Sequence, residues 1–175
     1  FLNEDPWKRL KVIKSNIKKT NLQMLLRGKN LVGYKKYDDT VIDLFIKKSS
    51  ENGINIFRIF DALNDINNIS YSIECANKYD SNSQGTISYT TSPIHNEKYW
   101  LKLAKDIEDI GAKSLGIKDM AGLLKPKTAY SLIKKLKKNL NIPIHLHTHA
   151  TTGLSDATNF KAFEAGVDNI DTSIS

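Results

Sequence analysis

Pro143-Ile-His-Leu-His-Thr-His-Ala-Thr-Thr-Gly153 alternates two kinds of residue. Ile144, Leu146 and Thr148 share one parity, and His145, His147 and His149 share the other. Successive side chains of a strand point to opposite faces. The stretch therefore predicts a buried strand with three imidazoles on one face, running out into a Thr-Thr-Gly loop. Neutral imidazole is a frequent metal ligand, and two at i and i+2 at a strand end can converge on one ion. The competing reading is a core strand whose histidines are simply hydrogen-bonded. Three of the four histidines of the chain fall in this one strand, which adds weight to a site.

Working outward, each neighbouring segment reads as half of a strand–helix unit. Asp5 and Pro6 open a helix carrying Trp7, Leu10, Ile13 and Ile17. Asn21–Arg27 is a strand, followed by a loop with two glycines, Gly28 and Gly33. Asp39 is expected to cap a helix burying Val41, Ile42, Phe45 and Ile46. Ile54–Phe60 is the next strand, then a helix through Ile69, Ile73 and Ala76, then a strand expected at Gly85–Thr90. A helix from Asn96 carries Trp100, Leu103, Ile107 and Ile110 and stops at Gly111. Ser114–Lys118 is the fourth strand, and Pro126 opens the helix leading to the histidine strand. A last helix over 155–165 ends at Gly166, and a sixth strand is expected from about Val167 onward.

Strand and helix alternate in units of about 30 residues, without hairpin signals, which is the pattern of βα units building a parallel sheet. No Gly-x-Gly-x-x-Gly follows the first strand, which weakens a dinucleotide-binding reading. Polar groups end every strand: Arg27; Arg58 and Asp61; Tyr89 and Thr90; Lys118 and Asp119; His147 and His149; Asp171 and Thr172. In a (β/α)₈ TIM barrel these ends form one ring, the face where active sites lie. The expectation is a barrel fragment carrying about six βα units. Residue 1 is Phe, and the closing Asn169–Ser175 reads as a strand without a cap. Residues 1–175 are thus expected to be a partial domain, with the first strands and a C-terminal part outside it.

Composition bounds the function. The net charge of +7 would ordinarily point to nucleic acid, but the basic residues are almost all Lys and are spread over helix faces. No nucleic-acid partner is therefore expected. A single cysteine, Cys75, excludes a disulfide framework within the chain and fits a reducing compartment. No apolar run is long enough to cross a bilayer, and a cytoplasmic location is expected.

Lys118 ends a strand on the side of the histidines. Burial and a nearby cation push a lysine toward its neutral amine, which can add CO₂ to give an anionic carbamate suited to a divalent metal. The competing reading is an ion pair with Asp119 or Asp61.

Gly116-Ile-Lys-Asp-Met-Ala-Gly-Leu-Leu-Lys-Pro126 and His147-Thr-His-Ala-Thr-Thr-Gly153 strongly resemble the carboxyltransferase domain of biotin-dependent enzymes. That family includes pyruvate carboxylase, transcarboxylase and the α subunit of oxaloacetate decarboxylase. The resemblance continues through Phe1–Leu10, Gln23–Tyr34 and Phe57–Asn64, and so covers essentially the whole chain. It implies a TIM barrel and a divalent metal (zinc, cobalt or manganese) held by an Asp, a carboxylated lysine and two histidines. Lys118, His147 and His149 match three of those ligands. The Asp, and a catalytic Thr, would lie outside this chain. Arg27 and Tyr34 match the family's Arg and Tyr near the biotin and substrate pocket. The implied reaction is carboxyl transfer between oxaloacetate or pyruvate and biotin, with Lys118 a ligand rather than an acid or base.

The implied partners are a biotin carrier domain or subunit, and either a biotin carboxylase or a membrane decarboxylase subunit, through which the protein could sit at the inner membrane. An oligomer is expected, and the fragment alone is expected to be inactive. Ala150, where single-chain pyruvate carboxylases tend to carry Asp, leans toward the decarboxylase α subunit. The carboxyltransferase subunit of two-chain pyruvate carboxylases is the alternative. Two weaker readings are a metal-dependent lyase or synthase of the same barrel superfamily, which would lack Lys118 in this context, and a non-catalytic basic binding module.

Overall fold

The computed structural model describes residues 3–172. Six strands form one sheet in the order of the chain: β1 (Leu22–Leu26), β2 (Ile54–Phe60), β3 (Asn82–Ser88), β4 (Ser114–Asp119), β5 (Ile144–Thr148) and β6 (Asn169–Ile170). Every neighbouring pair is parallel. The helices are α1 (Pro6–Asn16), α2 (Asp39–Glu51), α3 (Ile66–Lys78), α4 (Glu97–Asp109), α5 (Pro126–Asn139) and α6 (Ser155–Glu164). Parallel neighbours need a crossover, and α2 to α6 supply one between each successive pair of strands. No described helix is long and apolar enough to cross a membrane.

Strand parity sorts the residues into two layers. Phe57, Ile59, Ile87, Leu115, Ile117, Ile144 and Leu146 are almost wholly buried among Ile42, Ile46, Ile73, Ile107, Ile133 and Leu136 of the helices. Each such side chain contributes about 1.5–3 kcal/mol when fully buried. Gly85 belongs to this layer, where a Cβ would stand 2.4 Å from Ile107 Cγ2 and 3.2 Å from the Ala112 Cβ. The opposite face carries Arg58, Phe60, Gln84, Thr86, Ser88, Ser114, Lys118, His145 and His147, in register across the ladders. It is a polar lumen, in contrast to the apolar layer beneath the helices.

The sheet is curled. Four strand spacings separate β2 from β6, about 19 Å if the sheet were flat. Arg58 on β2 nevertheless holds the carboxylate of Asp171, which follows β6, with its Nη2 3.3 Å from Oδ1. The sheet therefore bends β2 and the end of β6 toward each other around the polar face, as expected for six βα units of a TIM barrel.

Several local expectations shift by a residue or more. Asp38, not Asp39, caps α2, accepting from Val41 N at 3.0 Å; Asp39 is the first helical residue. Val41 is 40% exposed, while Ile42 and Ile46 are buried. α1 buries no residue completely, and Ile13 is also 40% exposed. β3 begins at Asn82, three residues before the expected Gly85, because Asn82–Thr86 pair with β2 and Gln84–Ser88 with β4, and strand propensity underrates such polar residues. β6 spans Asn169–Ile170, and the predicted continuation over 173–175 lies outside the described residues. The expected stops at Gly111 and Gly166 hold, each at φ +90° just beyond its helix.

Candidate metal centre at the C-terminal ends of the strands

Lys118 and His147 are partners in the β4–β5 register, so both side chains project from the lumen face at the C-terminal ends of their strands. His149 follows β5 by one residue, and its ring lies edge-on to that of His147 at 5.0 Å between centroids. The two Nε2 atoms are 3.0 Å apart. Two nitrogen ligands at about 2.0–2.1 Å from one ion stand about 2.8–3.4 Å apart for right-angled to tetrahedral geometry. The imidazole pair therefore fits one metal ion. His145 shares the face one step deeper, where its Nε2 lies 3.1 Å from the Asn169 amide nitrogen. Burial, and secondarily Arg58, hold the pKa of His145 below the ordinary histidine value.

Lys118 is 8% exposed. Among the described residues it has no carboxylate within ion-pair distance, and its Nζ stands 4.3 Å over the ring of Phe60. Both carboxylates of the competing ion-pair reading are engaged elsewhere. Asp119, fully buried, points to the opposite side of β4 and accepts from Leu123 N at 2.9 Å and Leu124 N at 2.8 Å. Asp61 accepts from Leu63 N, Asp65 N and Asn68 Nδ2 at 2.7–3.0 Å. Burial, then the neighbouring Arg58 and Arg27 cations, push the Lys118 pKa below the usual lysine value. A lysine so placed is biased toward the neutral, nucleophilic amine.

The loops that carry these groups are tied to one another. His149 N donates to Asp119 O at 2.9 Å, and Thr152 Oγ1 donates to Gly122 O at 2.7 Å. Gly122 adopts φ +67°, and a Cβ there would come within 2.9 Å of His149 O, so the close approach of the two loops demands glycine. A cavity of about 450 Å³ opens beside the imidazoles, lined by His147, His149, Ser155, Asn159, Asp171 and Thr172. A larger groove of about 720 Å³ lies between α5 and α6, lined by Pro126, Lys127, Tyr130, Lys161 and Glu164, and holds none of the site residues.

Arg27 follows β1 at the same end of the sheet. Its Nη1 donates to Gly33 O at 3.1 Å, and its guanidinium lies 4.7 Å from the centroid of the Tyr34 ring. Tyr34 itself is 92% exposed, so the pair forms a rim over the lumen. Arg27, Asp61, Lys118, His147 and His149 all lie at the C-terminal ends of parallel strands. Asp61, however, shapes its own loop and presents no free oxygen to the imidazoles.

Sequence reasoning named Arg58 and Asp171 only as polar strand ends. In the structure Asp171 Oδ2 is 2.9 Å from His147 Nδ1. Burial alone would raise the Asp171 pKa, but hydrogen bonds from His147 and Arg58 outweigh it and hold the carboxyl well below the usual carboxylate range. Parity with Asn169 was the one signal that placed Asp171 on the lumen face.

No group of three or more His, Cys, Asp or Glu side chains is arranged to hold a metal among the described residues. The described residues thus present two imidazoles and a lysine without a carboxylate partner. A complete site would need the lysine in anionic form and an oxygen ligand from elsewhere.

A family model described as HMGL-like matches residues 8–175. The chain is 51% identical over 175 residues to a pyruvate carboxylase subunit of Methanocaldococcus jannaschii, covering all of this chain and 31% of that protein. It is 49% identical over 177 residues to the methylmalonyl-CoA carboxyltransferase 5S subunit of Propionibacterium freudenreichii subsp. shermanii, again over the whole chain and 35% of the relative. The carboxyl transferase domain of Rhizobium etli pyruvate carboxylase, solved with pyruvate and biocytin, superposes with a TM-score of 0.96 at 42% identity, over 98% of this chain and 30% of that one. The chain spans about a third of the length of these relatives.

Proposed function

Because the chain belongs to the HMGL-like family, we propose that it is the metal-bearing part of a longer biotin-dependent carboxyltransferase. The reaction is carboxyl transfer between a 2-keto acid, oxaloacetate or pyruvate, and biotin carried on another domain or subunit. The observation that carries this reading is the approach of His147 and His149 Nε2 to 3.0 Å beside a buried lysine that has no carboxylate partner among the described residues.

In this reading His147, His149 and carboxylated Lys118 hold a divalent zinc, cobalt or manganese ion, with a fourth ligand from outside residues 1–175. Such an ion supplies Lewis acidity toward the keto oxygen, favouring the enolate form of pyruvate. Lys118 contributes a negative charge that offsets the ion's own, and once carboxylated it no longer serves as acid or base. The Arg27 guanidinium, its plane fixed by Gly33 O and the Tyr34 ring, orients the carboxylate of the keto acid through its fork of donors. Tyr34 meets the incoming biotin in this reading, consistent with its exposure at the rim.

Two settings use the same site. The likeness at 51% identity to a pyruvate carboxylase subunit favours the carboxyltransferase subunit of a two-chain pyruvate carboxylase, partnered by an ATP-driven biotin carboxylase. Ala150 after the second histidine favours an oxaloacetate decarboxylase α subunit, partnered by a membrane component. The full-length protein, given free biotin and oxaloacetate without ATP, is expected to release pyruvate in a biotin-dependent manner and to lose that activity in Lys118→Ala. Equal release from Lys118→Ala would reduce the activity to nonspecific decarboxylation and remove the assignment. A demand for ATP by the reconstituted complex separates the carboxylase setting from the decarboxylase one.

A further inference from the structure

Of the three imidazoles on and just after β5, only His147 has a carboxylate behind it among the described residues. Its Nδ1 is 2.9 Å from Asp171 Oδ2. His145 meets a neutral amide instead, and His149 has only His147 as a side-chain hydrogen-bond partner among the described residues. Asp171 is itself held from the far side of the barrel. The Arg58 guanidinium grips both of its oxygens, through Nη1 to Oδ2 and Nη2 to Oδ1. Arg58 is only 5% exposed, and its Nε donates to Oε1 of the fully buried Gln84. The Gln84 amide in turn donates to Ser114 Oγ at 3.3 Å. A connected polar chain thus runs from β4 through β3 and β2, across the lumen to the end of β6, and finishes on one imidazole of β5.

We infer that Asp171, locked by Arg58, is the positioning residue that sets the tautomer and ring orientation of His147. The inference rests on the metal-site reading above. An ionised carboxylate can only accept, so the Nδ1 facing it must carry the proton, and the Nε2 lone pair is directed at the point shared with His149. The carboxylate cannot turn away, because the guanidinium occupies both oxygens in a planar fork. Partners of this kind fix a ligating ring and raise its basicity, and losing one typically weakens metal affinity about 10–100-fold. Asp171 touches neither the keto acid nor biotin in this scheme and acts only through His147.

The test uses the full-length protein stripped of metal and titrated with cobalt(II), following both affinity and the visible ligand-field spectrum. Wild-type protein is expected to bind one ion. Folded Asp171→Asn is expected to bind about 10–100-fold more weakly with a shifted spectrum, and Asp171→Glu to recover part of the affinity. Wild-type affinity and spectrum in folded Asp171→Asn would overturn the inference and leave the metal reading standing. Failure of wild type to bind an ion stoichiometrically would overturn both. Should Asp171→Asn not fold, ¹⁵N-histidine spectra of the wild-type apoprotein decide the matter, with the His147 signals assigned by their loss in His147→Gln. Protonated Nδ1 with a bare Nε2 supports the inference, and the opposite tautomer overturns it.

Discussion

Arg58 and Asp171, 113 residues apart in the chain, form a two-armed ion pair across the lumen of the curled sheet. The Arg58 side chain is 6% exposed and that of Asp171 32%, so the pair sits at the margin of the solvent. Removing one partner of a buried pair typically costs about 3–5 kcal/mol, since the other charge is left uncompensated. Arg58→Ala is therefore expected to destabilise the full-length protein by roughly 3 kcal/mol, the lower end, because water can reach the abandoned carboxylate. Urea denaturation checks this, and a loss below about 1 kcal/mol would show that the curl is held by other contacts.

Lys118 offers a second test. A buried amine shifted toward its neutral form can add CO₂, releasing a proton to leave an anionic carbamate, whereas an ordinary surface lysine stays protonated and has no lone pair to offer. Apoprotein prepared free of CO₂ is expected to take up metal slowly or incompletely, and bicarbonate to restore uptake. Lys118→Ala is expected to show no bicarbonate response. Metal analysis of the desalted protein reads the outcome, and bicarbonate-independent uptake by wild type would argue against a carbamate.

Asp119 holds the β4–α5 turn by accepting from Leu123 N and Leu124 N, and its backbone carbonyl anchors His149 N. Asp119→Ala leaves two backbone donors unpaired, at about 1–3 kcal/mol for each that stays buried. It is also expected to loosen the turn against which His149 rests. Stability and metal affinity should therefore fall together, whereas a change in stability alone would confine Asp119 to the turn.

Cys75 titrates in the other direction from a reactive thiol. Burial is the main cause that pushes its pKa up to about 11. At pH 8 it is expected to resist thiol reagents in the folded protein and to react on addition of denaturant. The folded-state pKa exceeds that of an unfolded cysteine, about 8.5, so above that pH the unfolded chain releases its proton first. The contribution to stability is thus complete below about pH 8.5 and declines as pH rises toward 11. Cys75→Ser should flatten that part of the stability profile.

Gly85 lies at a close approach of sheet to helix, with the Cβ position 2.4 Å from Ile107 Cγ2. Gly85→Ala is expected to cost about 1–3 kcal/mol by overpacking, read as a lowered urea midpoint with an unchanged slope.

The architecture was legible because it is local. Apolar periodicity marked the helices, alternation marked the histidine strand, and the lack of hairpin signals between strands forced crossovers and hence parallel pairing. Parity alone put His147 and His149 on one face, and parity could also have removed one competing reading. Lys118 and Asp119 are adjacent in a strand, so they point to opposite faces and cannot pair. The one-residue error at the α2 cap came from two consecutive aspartates, either of which can cap, with Asp38 alone placed to reach Val41 N.

Parity could place Asp171 on the lumen face, but nothing in the spacing paired it with His147. Its carboxylate lies 24 residues further on, and the arginine that locks that carboxylate lies 113 residues before it. Whether those groups meet depends on how far the sheet curls, which no local propensity encodes. The sequence by itself determined the elements, their order and the faces of their side chains, since φ/ψ preference and burial act within a few residues. The tertiary structure alone decided which lumen groups pair, because twist and curl accumulate over four strand spacings before Arg58 can reach Asp171.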